Sequence, residues 1–192
     1  MMEQVKAIFK YFVALVSSPQ ARWQYLTDRE LPEAQPDHVS RYYYWPLMGF
    51  CAVCIFFLQG LHATADPFSL ELALRSATAF VVSFLAGPYV AQFVLERTLR
   101  NLYRVEVDAD RLMIFIFYTL SYDMVADLLS AVMYGNRFID LLLVYQVFIV
   151  WSASTTLFGI SSSRLLFSLL TTAVLFGSHW IIACVLGLMG RW

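Results

Sequence analysis

Asp123 and Asp127 stand four residues apart in LSYDMVADLL, residues 120–129, a stretch otherwise close to pure hydrocarbon. On a helix such a pair shares one face. Two carboxyls so placed can relay a proton, hold a cation or hydrogen-bond a neighbouring helix. Insertion scales put an acid at the centre of a bilayer at about +2.5 to +3.5 kcal/mol, so each needs a partner. The sequence offers Arg75, Glu71 one turn before it, Gln146 and His179. Counted in from the outer surface, Asp127 is about seven residues deep, roughly 10 Å, and Arg75 about five. This predicts an Asp127–Arg75 pair, completed by Glu71, within a polar core in the outer half of a helical bundle, with Asp123 a turn deeper. Such a cluster either fixes helix pairing, at about 0.6 kcal/mol per contact, or forms a proton or ion path.

The immersion of those acids follows from composition. The 192 residues are 60% hydrophobic and 14% charged, with a net charge of −1, and mean hydropathy is +0.64. A soluble domain needs more charged surface. The charges cluster in residues 3–41 and 96–111, as in a polytopic membrane protein. The near-neutral balance gives no basic field for nucleic acid. Cys51, Cys54 and Cys184 all fall in apolar runs, so no disulfide framework is expected.

Five spans are predicted at about 44–61, 70–95, 112–134, 139–160 and 165–189, each near the ~20 residues that cross hydrocarbon. The first opens on the aromatics of YYYWP, read as interfacial, and Gly87-Pro88 should kink the second. Residues 1–43 form a separate segment. Val5, Ile8, Phe9, Phe12, Val13 and Val16 follow helical spacing beside Lys6 and Lys10. This reads as a retained amphipathic helix in the headgroup layer, the plainer alternative being a helix packed on the bundle. Residues 17–41, with three prolines, read as a cytosolic loop containing a short helix. The expected fold is all-α: a five-helix transmembrane bundle with an N-terminal interfacial helix. Arg and Lys gather in the N-terminal segment, the 96–111 loop and the fourth connection. The positive-inside rule then places the N-terminus in the cytoplasm and the C-terminus outside.

Other chemistry is thinner. Arg97, Arg100 and Arg104 recur at helical spacing and read as topology determinants or as a stripe on anionic headgroups. Glu106, Asp108 and Asp110 follow, to dock a partner or to solvate the loop. Cys51-x-x-Cys54 puts two thiols on one face without further ligands nearby, so no metal site is expected. His62 reads as an interfacial polar residue and His38 as solvated. SASTT (152–156) and SSS (161–163) read as hydroxyls that bond their own helices. No P-loop, HExxH, nucleophile elbow or dinucleotide signature occurs. Neither an enzyme nor a cofactor is expected.

SSPQARW ahead of a polar stretch, YYYWP entering the first span, FYTLSYDMVADLL in the third and LLLVYQVFIVW followed by LFGISSSR in the fourth resemble the Yip family of Ypt-interacting, five-span membrane proteins, in its compact prokaryotic branch. The likeness lies in layout over most of the chain, with Ser-Pro ahead of Arg22-Trp23 and Tyr118-x-Leu120-Ser121 as its most specific pieces. The Asp-Leu-x-Gly-Pro signature of eukaryotic members is absent, and Gly87-Pro88 lies within the second span. The resemblance implies membrane trafficking or bilayer organisation.

Three functional readings follow. The first is a membrane scaffold in a bacterial cytoplasmic membrane that binds lipids and either partner membrane proteins or its own copies. The second is a small proton- or ion-coupled transporter or channel lined by Asp123, Asp127, His179 and Arg75. The third is an accessory subunit of a larger membrane complex.

Overall fold

The computed structural model describes residues 2–61, 69–133 and 139–185. Among these residues the chain is helical, without strands. Helix α1 spans Met2–Ser17 and α2 spans Pro19–Tyr25, with Pro19 at the first helical position, where its missing N–H is harmless. A 3₁₀ turn at Pro32–Ala34 leads to α3 (Pro36–Val39). A π-helical turn at Ser40–Tyr44 fuses α3 to α4 (Trp45–Leu61) as one helix. The expected start at residue 44 is therefore two turns late, because Pro36 and not the aromatic run opens the helix.

Helix α5 spans Leu70–Thr98 and continues through a π turn to Tyr103. Ser69 caps its start by accepting from the Leu72 N–H. Arg104, at φ 53°, ends it in the left-handed region, and the Val105 N–H returns to the Leu99 carbonyl. Helix α6 spans Ala109–Val132 and begins at Asp108, whose carboxylate accepts from the Asp110 N–H. Helix α7 spans Ile139–Thr156 and α8 spans Arg164–Val185. The expected fourth span ran to residue 160. The helix stops four residues earlier because Gly159 turns at φ +65° and the Ile160 N–H closes on the Ser154 carbonyl.

Helix α6 is the hub. It touches α1, α3, α4, α5, α7 and α8, and every residue from Ile114 to Met124 is buried. Helix α5 lies against α4 and α8, while α7 packs on α8, α6 and α2. The outer faces are apolar: Phe50, Val53, Phe57 and Leu61 make a continuous exposed stripe on α4, and Leu165, Leu169, Phe176, Trp180 and Ile181 cover α8. In water such a surface would drive aggregation; in hydrocarbon it is the natural exterior. Among the described residues, four helices, Pro36–Leu61, Leu70–Tyr103, Ala109–Val132 and Arg164–Ile182, are long and apolar enough to cross a membrane. The chain is an integral membrane protein of helical, multi-pass type.

The aromatics of YYYWP are not an interfacial belt. Tyr43 and Tyr44 are fully buried and Trp45 half-buried, with Tyr42 exposed. Tyr44 performs a backbone repair. Pro88 sits inside α5 and has no N–H for the carbonyl four residues earlier, Phe84. The Tyr44 hydroxyl donates to that carbonyl at 2.8 Å, so α5 runs on through its proline. Tyr44→Phe should orphan the carbonyl and cost about 1–3 kcal/mol. In a Pro88→Ala background, where the alanine supplies its own N–H, the same change should cost much less. Thermal or denaturant unfolding of the four variants in mild detergent measures this cycle.

Candidate functional site in the polar interior

Two groups of polar side chains converge on α6, one from α7 and one from the N-terminal helices. In the first, Asp123 is 3% exposed and Gln146 of α7 is fully buried. Gln146 Nε2 donates to Asp123 Oδ2 at 2.8 Å. Gln146 Oε1 accepts from no protein group. Asp127 is half-buried one turn further along α6.

The remaining members of the expected cluster are dispersed. Glu71 and Arg75 lie on the exposed side of α5. His179 is buried between α8 and α5, its ring stacked on Phe84 at 4.8 Å and its Nδ1 3.2 Å from the Leu175 carbonyl. Gly87 faces the same contact, where a Cβ would meet His179 and Ser178 at 3.5 and 3.6 Å, ordinary van der Waals distance. Of the expected partners for the acids, Gln146 is the one in hydrogen-bond contact with Asp123. Two ion pairs lie at the other end of the bundle, Arg29–Asp108 at 2.8 Å and Arg100–Glu96 at 2.7 Å.

The second group was not legible as a site. Arg22, counted above among the cytosolic charges, is only 8% exposed. Its Nη2 donates to the Tyr118 hydroxyl at 2.7 Å. The guanidinium lies 5.0, 5.2 and 5.1 Å from the ring centres of Tyr11, Tyr25 and Tyr118, within cation–π range. The next residue, Trp23, is fully buried, packs on Phe115 and donates its Nε1–H to the Ile149 carbonyl at 3.0 Å. Tyr43 extends the network: Ser121 uses its hydrogen on the Tyr118 carbonyl, so Tyr43 donates to Ser121 at 2.6 Å. The adjacent Arg-Trp dipeptide was the available signal; its partners are remote in sequence.

Helix α1 joins the same network. Leu15 is buried, Ile8, Tyr11, Phe12 and Val16 are half-buried against the core, and Phe12 stacks on Tyr122. The Tyr145 hydroxyl donates to the Val16 carbonyl. Phe9 and Val13 remain exposed, and Val5 lies outside the described side chains. The expected apolar face is thus divided, part packed on the bundle and part turned outward. Tyr11 also donates to Glu33 at 3.1 Å. Burial and that carboxylate push its hydroxyl pKa above 10.0, with Arg22 pulling the other way.

The remaining expectations resolve more simply. Arg97 lies 3.7 Å over the Phe93 ring, and Arg97, Arg100 and Arg104 are all exposed on the extension of α5 and its cap. Ser152, Ser154 and Thr156 bond carbonyls of their own helix. Cys51 is buried and Cys54 half-buried, both as free thiols. His62, Arg137, Arg191 and the side chain of Cys184 lie outside the described residues.

No protein-family model, curated protein or solved structure matches this chain.

Gln146→Leu strands a buried carboxyl, whereas Asp123→Asn keeps an amide-to-amide bond. We expect the former to destabilise by about 1–3 kcal/mol and the latter by less, read from unfolding midpoints in detergent. Arg22→Lys keeps the charge but loses the planar fork that reaches Tyr118. It should release α1 and α2 to limited proteolysis while the bundle resists.

Proposed function

We propose that this chain is a non-enzymatic, five-span membrane scaffold of Yip type. It sits in a bacterial cytoplasmic membrane, N-terminus inside and C-terminus outside, and organises lipids and partner membrane proteins or copies of itself. The observation that carries this reading is the division of the molecule into a sealed hub and an apolar exterior. From Ile114 to Met124 the central helix offers no open face, while the outer helices carry continuous apolar stripes suited to lipid and to other helices. Helix α7 supplies the fifth span. Its 18 residues give about 27 Å at 1.5 Å per residue, and Val144, Phe148 and Trp151 are exposed along it. Helix α1, seated by one side on α6, turns Phe9 and Val13 outward beside exposed Lys10, as suits a helix half-sunk in the inner leaflet. The arginine-bearing end of α5 faces the same leaflet.

One observation favours a relay. Gln146 Oε1 is buried beside Asp123 and bonded to no protein group, as befits an oxygen awaiting water next to a buried carboxyl. Proteoliposomes under a pH gradient separate the two readings. The scaffold predicts no flux above protein-free vesicles and co-purification with a membrane partner or a second copy in mild detergent. Flux that disappears in Asp123→Asn or Asp127→Asn would replace the scaffold with the relay. For topology, a cysteine at Asn101 in a background free of native cysteines should react with impermeant maleimide only from the cytoplasmic side.

A further inference from the structure

We infer that the cleft at the Asp110 end of the bundle, between the α3–α4 helix, α5 and α6, binds an organic ammonium group. The cleft is half-open and offers about 270 Å³. Asp37 from the first turn of α3 and Asp110 from the first turn of α6 reach it from separate helices, and Trp45, Tyr89 and Phe117 supply aromatic walls, with Gln92 between them. None of its lining residues is basic.

A first-turn aspartate ordinarily serves its own helix dipole, and that accounts for each acid singly. It does not account for two first turns meeting at one aromatic-walled cleft. Arg41 and Arg111 follow the lining residues Ser40 and Asp110 in the chain but do not line the cleft, and Arg29 pairs with Asp108, just before α6. Two carboxylates and aromatic faces together recognise a soft, bulky cation. Aromatic faces favour a soft organic cation over a hard metal ion, which prefers oxygen ligands and water. The volume falls just below the roughly 300–1,000 Å³ of drug-sized pockets, which suits an ethanolamine- or choline-sized group.

Asp37, Tyr89 and Asp110 line the cleft and are exposed. The opening is therefore within reach of a lipid headgroup amine or a small free amine. The site serves the scaffold and relay readings equally.

The test uses the full chain in nanodiscs of phosphatidylglycerol alone, titrated calorimetrically with ethanolamine and with choline against sodium chloride of equal ionic strength. Saturable binding is expected, weakened tenfold or more in Asp37→Asn and in Asp110→Asn. Tyr89→Ala, which leaves both helix starts intact, should weaken it as well and guards against a folding effect in the aspartate variants. Repeating the titration in nanodiscs containing phosphatidylethanolamine identifies the source. Loss of apparent affinity means that the headgroup occupies the cleft, and unchanged affinity means that a free amine is the ligand. Either outcome upholds the inference. Absence of saturable binding of both amines, or binding indifferent to all three substitutions, overturns it.

Discussion

Within hydrocarbon, a backbone carbonyl released from its helix has no water to turn to, and the chain must answer it from its own side chains. Pro88 creates such a carbonyl at Phe84 in the middle of α5, and Tyr44 answers it from the neighbouring helix. The contact fixes more than one bond. It sets the height of α4 against α5, which in turn places Tyr43 opposite Tyr118 and Ser121 on α6. Helix α5 then presents Gly87 and Phe84 to His179 of α8. A proline that would weaken an isolated helix has become the point from which three helix registers are measured.

The same rule governs the N-terminal segment, where the group to be answered is a cation. Burying a guanidinium is expensive unless its donors and its charge are both met. Arg22 meets one donor with the Tyr118 hydroxyl and its charge with three tyrosine rings, while its Nε–H is buried without a protein acceptor. Trp23 adds a bond to the α7 backbone. The two adjacent residues therefore stitch α2 to α6 and α7 at once, and α1 follows through Tyr11, Phe12 and Leu15. Residues 8–43 belong to the packed body of the protein as much as to its margin.

The outline of this architecture was legible because hydropathy and charge clustering report solvent directly. The apolar runs became helices, while the exact ends at Ser69, Asp108 and Gly159 are set by local cap and turn chemistry that the hydropathy bounds did not read. What failed to show was choice of partner. Sequence depth suggested Arg75 for the acids, yet Arg75 lies on an exposed face, and Gln146, an amide equally reachable in depth, faces Asp123. Depth along a helix is a one-dimensional coordinate; rotation about the axis decides contact, and hydrophobic periodicity is too weak to fix rotation in helices apolar on nearly every side. Aromatic residues misled for the same reason. Tyr43 and Tyr44 have interfacial composition but are turned inward by the π-helical turn they occupy.

The envelopment of α6 bears on how the molecule is made. A segment hidden on every flank, whose acid is met by an amide on the helix synthesised after it, completes its contacts late. Insertion scales put one acid at about +2.5 to +3.5 kcal/mol, which so apolar a helix can carry on its own, yet Asp123 lacks its partner until α7 emerges with Gln146. Helices α6 and α7 therefore mature together, and a ribosome stalled between them would leave a carboxyl still waiting for its amide.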